Sequence, residues 1–173
     1  MGRNAGQFDQ RVTNTWVTAS RAAAAAASGA ASASGAAGWI RELSRRTGLA
    51  TRLGAEFFDE GVVTHNNRRA DGSEQMPETG RAIPTYACAM GEVLLAYNPN
   101  VATELPSRPL RNPTDTTITG PAKLMLQFAK IAARGIATEE DEAGLDESSI
   151  TAPVADRIGT VIAAVAVVLP SSE

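Results

Sequence analysis

Apolar residues change period along this chain, and each change predicts an element. Trp39, Ile40 and Leu43 share one face, with Arg41, Glu42 and Arg45 opposite, so Trp39–Thr47 reads as an amphipathic helix stopped by Gly48. Upstream, the text from about Gln10 to Thr47 is helical in composition: Arg21 is followed by six alanines, and alanine is the strongest helix former. Gly29, Gly35 and Gly38 each cost about 1 kcal/mol inside a helix, which predicts a break near Gly35 or Gly38. Residues 1–9 read as a loose end.

The pattern then turns to strands, Ala50–Phe57 and Gly61–Asn67, across Phe58-Asp59-Glu60. Asp71-Gly72 is a tight-turn signal and pairs the second strand with Ser73–Glu78 as a hairpin. Ala87–Tyr97 returns to helical spacing, with Met90, Val93, Leu94 and Tyr97 on one face, and Asn98-Pro99 ends it. Four prolines between residues 98 and 118 predict loop or short turns. Thr119 reads as the cap of a helix with Pro121 in its first turn. Its buried stripe is Leu124, Met125, Phe128, Ile131 and Ala132, and Gly135 stops it. Ile136–Thr138 reads as a short strand and residues 139–148 as an acidic loop. Ser149–Ala155 and Thr160–Val168 are strands joined by a hairpin turn at Asp156–Gly159. The near absence of polar residues in Val161–Val168 predicts a central strand covered on both faces.

This order predicts an α+β layer fold with a mainly antiparallel sheet, preceded by an Ala-rich helical segment. The length of 173 residues suits one domain with its own core. Alanine accounts for 32 residues, 11 of them between Arg21 and Gly38, and this small-residue segment reads either as a low-complexity linker or as a self-association surface. A formal net charge of -3 argues against a chain-wide nucleic-acid footprint. One cysteine, Cys88, and one histidine, His65, exclude a disulfide framework and a His-rich or multi-Cys metal centre. Val161–Leu169 is too short to span a bilayer, and the alanine tract lacks the leucine core of a secretory signal. A cytoplasmic chain without membrane contact is expected.

Little in the text spells catalysis. Cys88 opens a helix, where the dipole lowers a thiol pKa, but a nucleophile needs a base, and nothing in the sequence brings His65 to it. Glu139, Glu140, Asp141, Glu142, Asp146 and Glu147 crowd one segment without the ligand spacing of a calcium loop, so they read as a solvated acidic loop. Arg41, Arg45, Arg46 and Arg52 read as a solvated basic face, with Arg68 and Arg69 elsewhere. No phosphate loop, nucleophile elbow or paired metal-ligand motif occurs.

From Trp39 to Pro170 the text resembles the effector-binding domain of the isocitrate lyase regulator (IclR) family of bacterial transcription factors. The residues that carry this are Trp39–Gly48, then Gly80-Arg81 with Pro84 and the small-residue helix start running to Leu94-Leu95-Ala96. They continue with Ile118-Thr119 and Pro121, Arg134-Gly135, Glu139–Glu142, Ala152-Pro153-Val154, Asp156, Gly159 and Pro170. The resemblance implies a GAF-like, profilin-like fold: a curved antiparallel sheet with helices, cupping a small-molecule pocket. It divides the chain into a linker-helix region, 1–38, and an effector-binding domain, 39–173. It places the pocket at Ile83, Cys88, Ala89 and Met90, where the helix start offers backbone N–H groups to an anion. It adds Glu139, Ser149, Ala166 and Val168, and implies no cofactor and no metal.

Several positions depart from the family pattern. Ala166 and Val168 stand where members that hold a carboxylate often carry serine, Glu92 replaces a usual lysine, and Asp146-Glu147 replaces a Gly-Leu-type pair. A buried carboxylate needs donors to offset its desolvation. These departures therefore imply a less polar effector, or one gripped by backbone N–H and Ser149. The family's winged helix-turn-helix is not found in these residues, so DNA is expected only through that domain. The resulting expectation is a non-enzymatic effector-binding and homodimeric or homotetrameric module for a small organic or aromatic acid. Its alternatives are a GAF-like thiol enzyme using Cys88 and a structural dimerisation module with a vestigial pocket.

Overall fold

The computed structural model describes residues 33–57, 60–68, 79–105, 109–144 and 147–169. Helix α1 (Ala33–Thr47) leads into strands β1 (Ala50–Phe57), β2 (Glu60–Asn67) and β3 (Ala82–Pro84). A single 3-10 turn, Thr85–Ala87, precedes α2 (Ala89–Ala96), followed by α3 (Pro99–Glu104) and α4 (Pro121–Arg134). Strands β4 (Ala137–Glu140), β5 (Ser148–Ala155) and β6 (Val161–Leu169) close the fold. The six strands form one sheet in the order β3-β2-β1-β6-β5-β4, and every neighbouring pair is antiparallel. This is the α+β antiparallel architecture expected from the sequence, with helices on both faces.

Strand alternation sends side chains to two cores. Val165, Val167, Ile150 and Ala152 meet Leu43 of α1 on one face. Ala164, Ala137 and Val63 meet Ala89, Met90, Val93 and Leu94 of α2 on the other. Behind α2, Leu95 packs with Leu124 and Phe128 of α4 and with Ala102 and Leu105. Helix α2 is thus enclosed between the sheet and α4, which is why it is apolar nearly all round. Two glycines permit that enclosure: a Cβ on Gly91 would collide with the Thr85 backbone, and one on Gly54 with the Met90 thioether. Residues 164–168 of β6 are buried on both faces, as the unbroken apolar run requires.

The departures from expectation have physical causes. Helix α1 runs through Gly35 and Gly38 without a break, because good helix formers around them and the burial of Ile40 and Leu43 outweigh about 1 kcal/mol per glycine. The hairpin partner expected at Ser73–Glu78 lies outside the described residues, as do residues 1–32, which hold the six-alanine tract. The strand β3 was not foreseen, and it pairs with the first residues of β2. Residues 98–118 are not all loop: Pro99 opens α3, since proline fits a first helical position, and Ala102 and Leu105 are buried. Gly120, not Thr119, is the N-cap of α4. Met125 and Ala132 of that helix are exposed, as is Tyr97 after α2, so the buried stripe of α4 narrows to Leu124, Phe128 and Ile131. Gly135 ends α4 at φ 74°, its N–H donating to the Ile131 carbonyl across 2.8 Å.

Candidate functional site

Helix α2 begins over the sheet face that carries Ala164, Ala166 and Val168 of β6. Cys88 is its N-cap, in extended conformation, and its Sγ accepts the Gly91 N–H at 3.3 Å. Burial pushes the Cys88 thiol strongly up, and the nearby Glu139 charge pushes the same way. The thiolate of a thiol enzyme is therefore disfavoured. His65 bonds to Thr64 and is the strand partner of Leu53, whereas Cys88 packs among Ile83, Met90 and Val63.

Glu139 is not in a solvated loop. It lies on β4, 6% exposed, because β4 extends past Thr138. Its Oε2 accepts the Ala89 N–H at 2.5 Å, and the hydroxyl of its strand partner Ser149 donates to the same carboxyl. Burial raises the Glu139 pKa to about 7, against the opposing pull of the Ala89 N–H. The chain's own carboxyl thus holds the two donors expected to grip an effector.

The rest of the acidic segment is also built in. Hydroxyls of Thr114, Thr116 and Thr117 donate to the carbonyls of Asp141 and Glu142. Asp141 sits at φ 59°, and its side chain accepts the Glu147 N–H at 3.2 Å. Glu92, fully buried one turn into α2, has its pKa raised to about 8 by burial and then by the Glu142 charge. Its Oε2 accepts from Gln127 at 3.4 Å, while Oε1 has no partner. At neutral pH Glu92 is mainly the uncharged acid, and that form tolerates burial where a carboxylate does not.

Arg52 also departs from expectation. Arg45 and Arg46 are exposed and paired with Glu42, as a solvated helix face should be. Arg52 instead points from β1 toward the α2 side of the sheet, 7% exposed. It forms a bidentate pair with Glu147, Nη1–Oε1 2.5 Å and Nη2–Oε2 3.0 Å. Burial favours the neutral Glu147, but the Arg52 bonds and charge overcome it and hold the carboxyl below its ordinary range.

The register assembles these parts. Arg52, Ala166, Thr151 and Ala137 are successive strand partners in one row, and Ala50, Val168, Ser149 and Glu139 form the next. Ile83, Cys88, Ala89 and Met90 cover them from β3 and α2, each no more than 5% exposed. Of the eight residues chosen from the sequence, Ile83, Cys88, Ala89 and Met90 share one buried cluster, Glu139, Ser149 and Val168 share one sheet row, Ala166 lies in the row beside it, and the Ala89 N–H joins the cluster to Glu139. Sequence reasoning missed Arg52 and Thr151. Alternation alone puts Arg52 with Ala50 and Gly54, and Thr151 with Ser149, so the signal was readable. Among the described residues no group of three or more His, Cys, Asp or Glu is placed to hold a metal ion. No described helix is long and apolar enough to cross a membrane. A surface hollow along Asp115–Lys123 is lined by one continuous segment and includes none of the site residues.

The family described as bacterial transcriptional regulator IclR C-terminal matches residues 24–173. The chain belongs to the IclR family. It is 33% identical over 136 residues to the HTH-type transcriptional regulator KdgR of Escherichia coli, a match covering 76% of this chain and 51% of that protein. It is 30% identical over 129 residues to the glycerol operon regulatory protein of Streptomyces coelicolor, covering 75% and 51%. The chain spans about half the length of these relatives. In structure, this IclR-family chain resembles the C-terminal domain of E. coli KdgR, with TM-score 0.68, 25% identity, and 92% and 84% of the two chains covered. It shares its fold with an IclR homologue from Microbacterium hydrocarbonoxydans complexed with 4-hydroxybenzoate, with TM-score 0.71, 19% identity, and 98% and 62% covered.

Proposed function

We propose that this IclR-type effector-binding domain takes a small organic or aromatic acid on the patch formed by Ile83, Cys88, Ala89, Met90, Glu139, Ser149, Ala166 and Val168. The observation that supports this is that the Ala89 N–H at the amino end of α2 bonds to Glu139, whose sheet row carries Ser149 and Val168, while Ile83, Cys88, Ala89 and Met90 share one buried cluster. The complex of the Microbacterium homologue with 4-hydroxybenzoate supports the ligand class. Binding shifts the arrangement of a homodimer or homotetramer, and so the spacing of attached DNA-binding domains. DNA contact belongs to a winged helix-turn-helix domain outside residues 24–173, with residues 1–38 as linker, 39–173 as effector domain, and the whole acting in the cytoplasm. The role is sensing and not catalysis: the buried Cys88 thiol, raised in pKa, speaks against a thiol enzyme.

The test is a thermal-shift screen of aliphatic and aromatic acids and their amides on the 173-residue chain. A ligand that binds only the folded state at one hundred times its Kd adds about 2.7 kcal/mol, so at least one compound should raise the melting temperature by several degrees. No shift across the panel favours the structural dimerisation module.

A further inference from the structure

Two donors on the effector patch are already committed. The Ala89 N–H and the Ser149 hydroxyl both donate to Glu139 at the amino end of α2. One polar group beside them is not committed. Thr151 follows Ser149 by two residues on β5, so both side chains stand on the same face of the sheet. Its strand partner Ala137 packs with Ala89, Met90 and Val93, which fixes that face as the one covered by α2. Thr151 is fully buried, and its hydroxyl has no hydrogen-bond partner among the described residues.

Its strand partners offer this hydroxyl nothing. They are Ala137 and Ala166, whose side chains are single methyl groups. Valine has the outline of threonine, the same β-branched fit to a strand and no polar atom to satisfy. A buried hydroxyl without a partner lowers stability, and valine at this place would not. The row therefore carries short side chains and one polar atom, which suits a ligand oxygen set among apolar neighbours. The charge around it selects the kind of oxygen. Glu139, partner of Ser149, stands in the next row, and Glu142 and Glu147 act on it. The Arg52 guanidinium, beyond Ala166 in the same row as Thr151, is bonded to Glu147. A second carboxylate at Thr151 would meet the negative charge of this acidic group, whereas an uncharged hydroxyl or carbonyl oxygen does not.

We propose that Thr151 is a specificity-determining residue of the effector site, its hydroxyl bonding an uncharged oxygen of the ligand, a hydroxyl or a carbonyl. This deepens the effector reading above and rests on it. Thr151 selects effectors that carry such an oxygen beside their acid group. The parent compound without it is disfavoured, because it covers the Thr151 hydroxyl and leaves it unpaired.

The experiment compares the native 173-residue chain with Thr151→Val and Thr151→Ser in two measurements. In the first, calorimetry follows benzoate and the three hydroxybenzoates, then propionate, lactate and pyruvate, each beside its amide. The native chain is expected to bind at least one of the oxygen-bearing compounds about tenfold more tightly than its parent. Thr151→Ser keeps that preference. Thr151→Val loses it, while binding the parent compound at least as well as the native chain does. A preference kept in Thr151→Val, or no preference in the native chain, overturns the assignment while the effector reading stands. If no compound binds the native chain, the effector reading fails and the assignment fails with it. In the second, the chains are melted without ligand, and Thr151→Val is expected to melt no lower than the native chain. A clearly lower melting temperature would show that the hydroxyl has a structural partner such as a bound water, and that also overturns the assignment.

Discussion

The Ala89 N–H donates to the Glu139 carboxyl across 2.5 Å, so a group of the chain's own closes the amino end of α2. Glu139→Ala leaves that buried N–H without an acceptor and is expected to destabilise by about 1–3 kcal/mol. Glu139→Gln keeps an acceptor oxygen and should lose clearly less. Urea denaturation of the two variants at one pH checks the ranking, and equal losses would remove the capping role.

Glu139 and Glu92 predict an unusual pH profile. Both have folded-state pKa values raised by burial, to about 7 and about 8. Between the ordinary carboxylate pKa and these values the folded chain holds protons that the unfolded chain has released. Stability is therefore highest at the acid end of that window and falls as pH rises from about 5 to about 8. Glu92→Gln should be near neutral at pH 5 and more stable than native at pH 9, by on the order of a few kcal/mol. Denaturation midpoints across that range check it, and a native midpoint that rises with pH would contradict it.

Cys88 is expected to be silent toward thiol reagents in the folded chain. Burial raises the thiol pKa, the Glu139 charge adds to it, and only 3% of the residue is exposed. A colorimetric disulfide reagent at pH 8 should label Cys88 in denaturant and leave it unreacted over the same time in native buffer. Fast native labelling would reopen the thiol-enzyme reading.

At Gly91, α2 lies directly against the backbone of the turn before it. A methyl group there meets the Thr85 backbone, which cannot swing aside as a side chain does. Gly91→Ala should cost about 1–3 kcal/mol or more, although alanine is the better helix former. Gly38 in α1 has open space around it, so Gly38→Ala should be neutral or stabilising by up to about 1 kcal/mol. Thermal melts of the two variants separate packing from propensity.

Much of the fold was legible because the hydrophobic period carries it. Strands β1, β2, β5 and β6 and the glycine stop of α4 fall where alternation and turn residues put them. Helix α3 was lost because prolines were read as breakers, although one of them sits at a first helical position. The stripe of α4 was drawn too wide because helical spacing alone does not show how broad the covered face is. The Arg52 error is of another kind. Composition grouped it with Arg41, Arg45 and Arg46, but the face of β1 on which it lies is covered by α2.

The sequence by itself determined most of the secondary elements, the covering of β6 on both faces and the family, because periodicity, turn chemistry and motif order are written along the chain. Only the tertiary structure decided which charges are buried and with whom they pair. Arg52 and Glu147 lie far apart in the chain, as do Ala89 and Glu139, and only the sheet register and the enclosure of α2 bring each pair together. A residue's solvation depends on what covers it, and that is a property of the assembled layers.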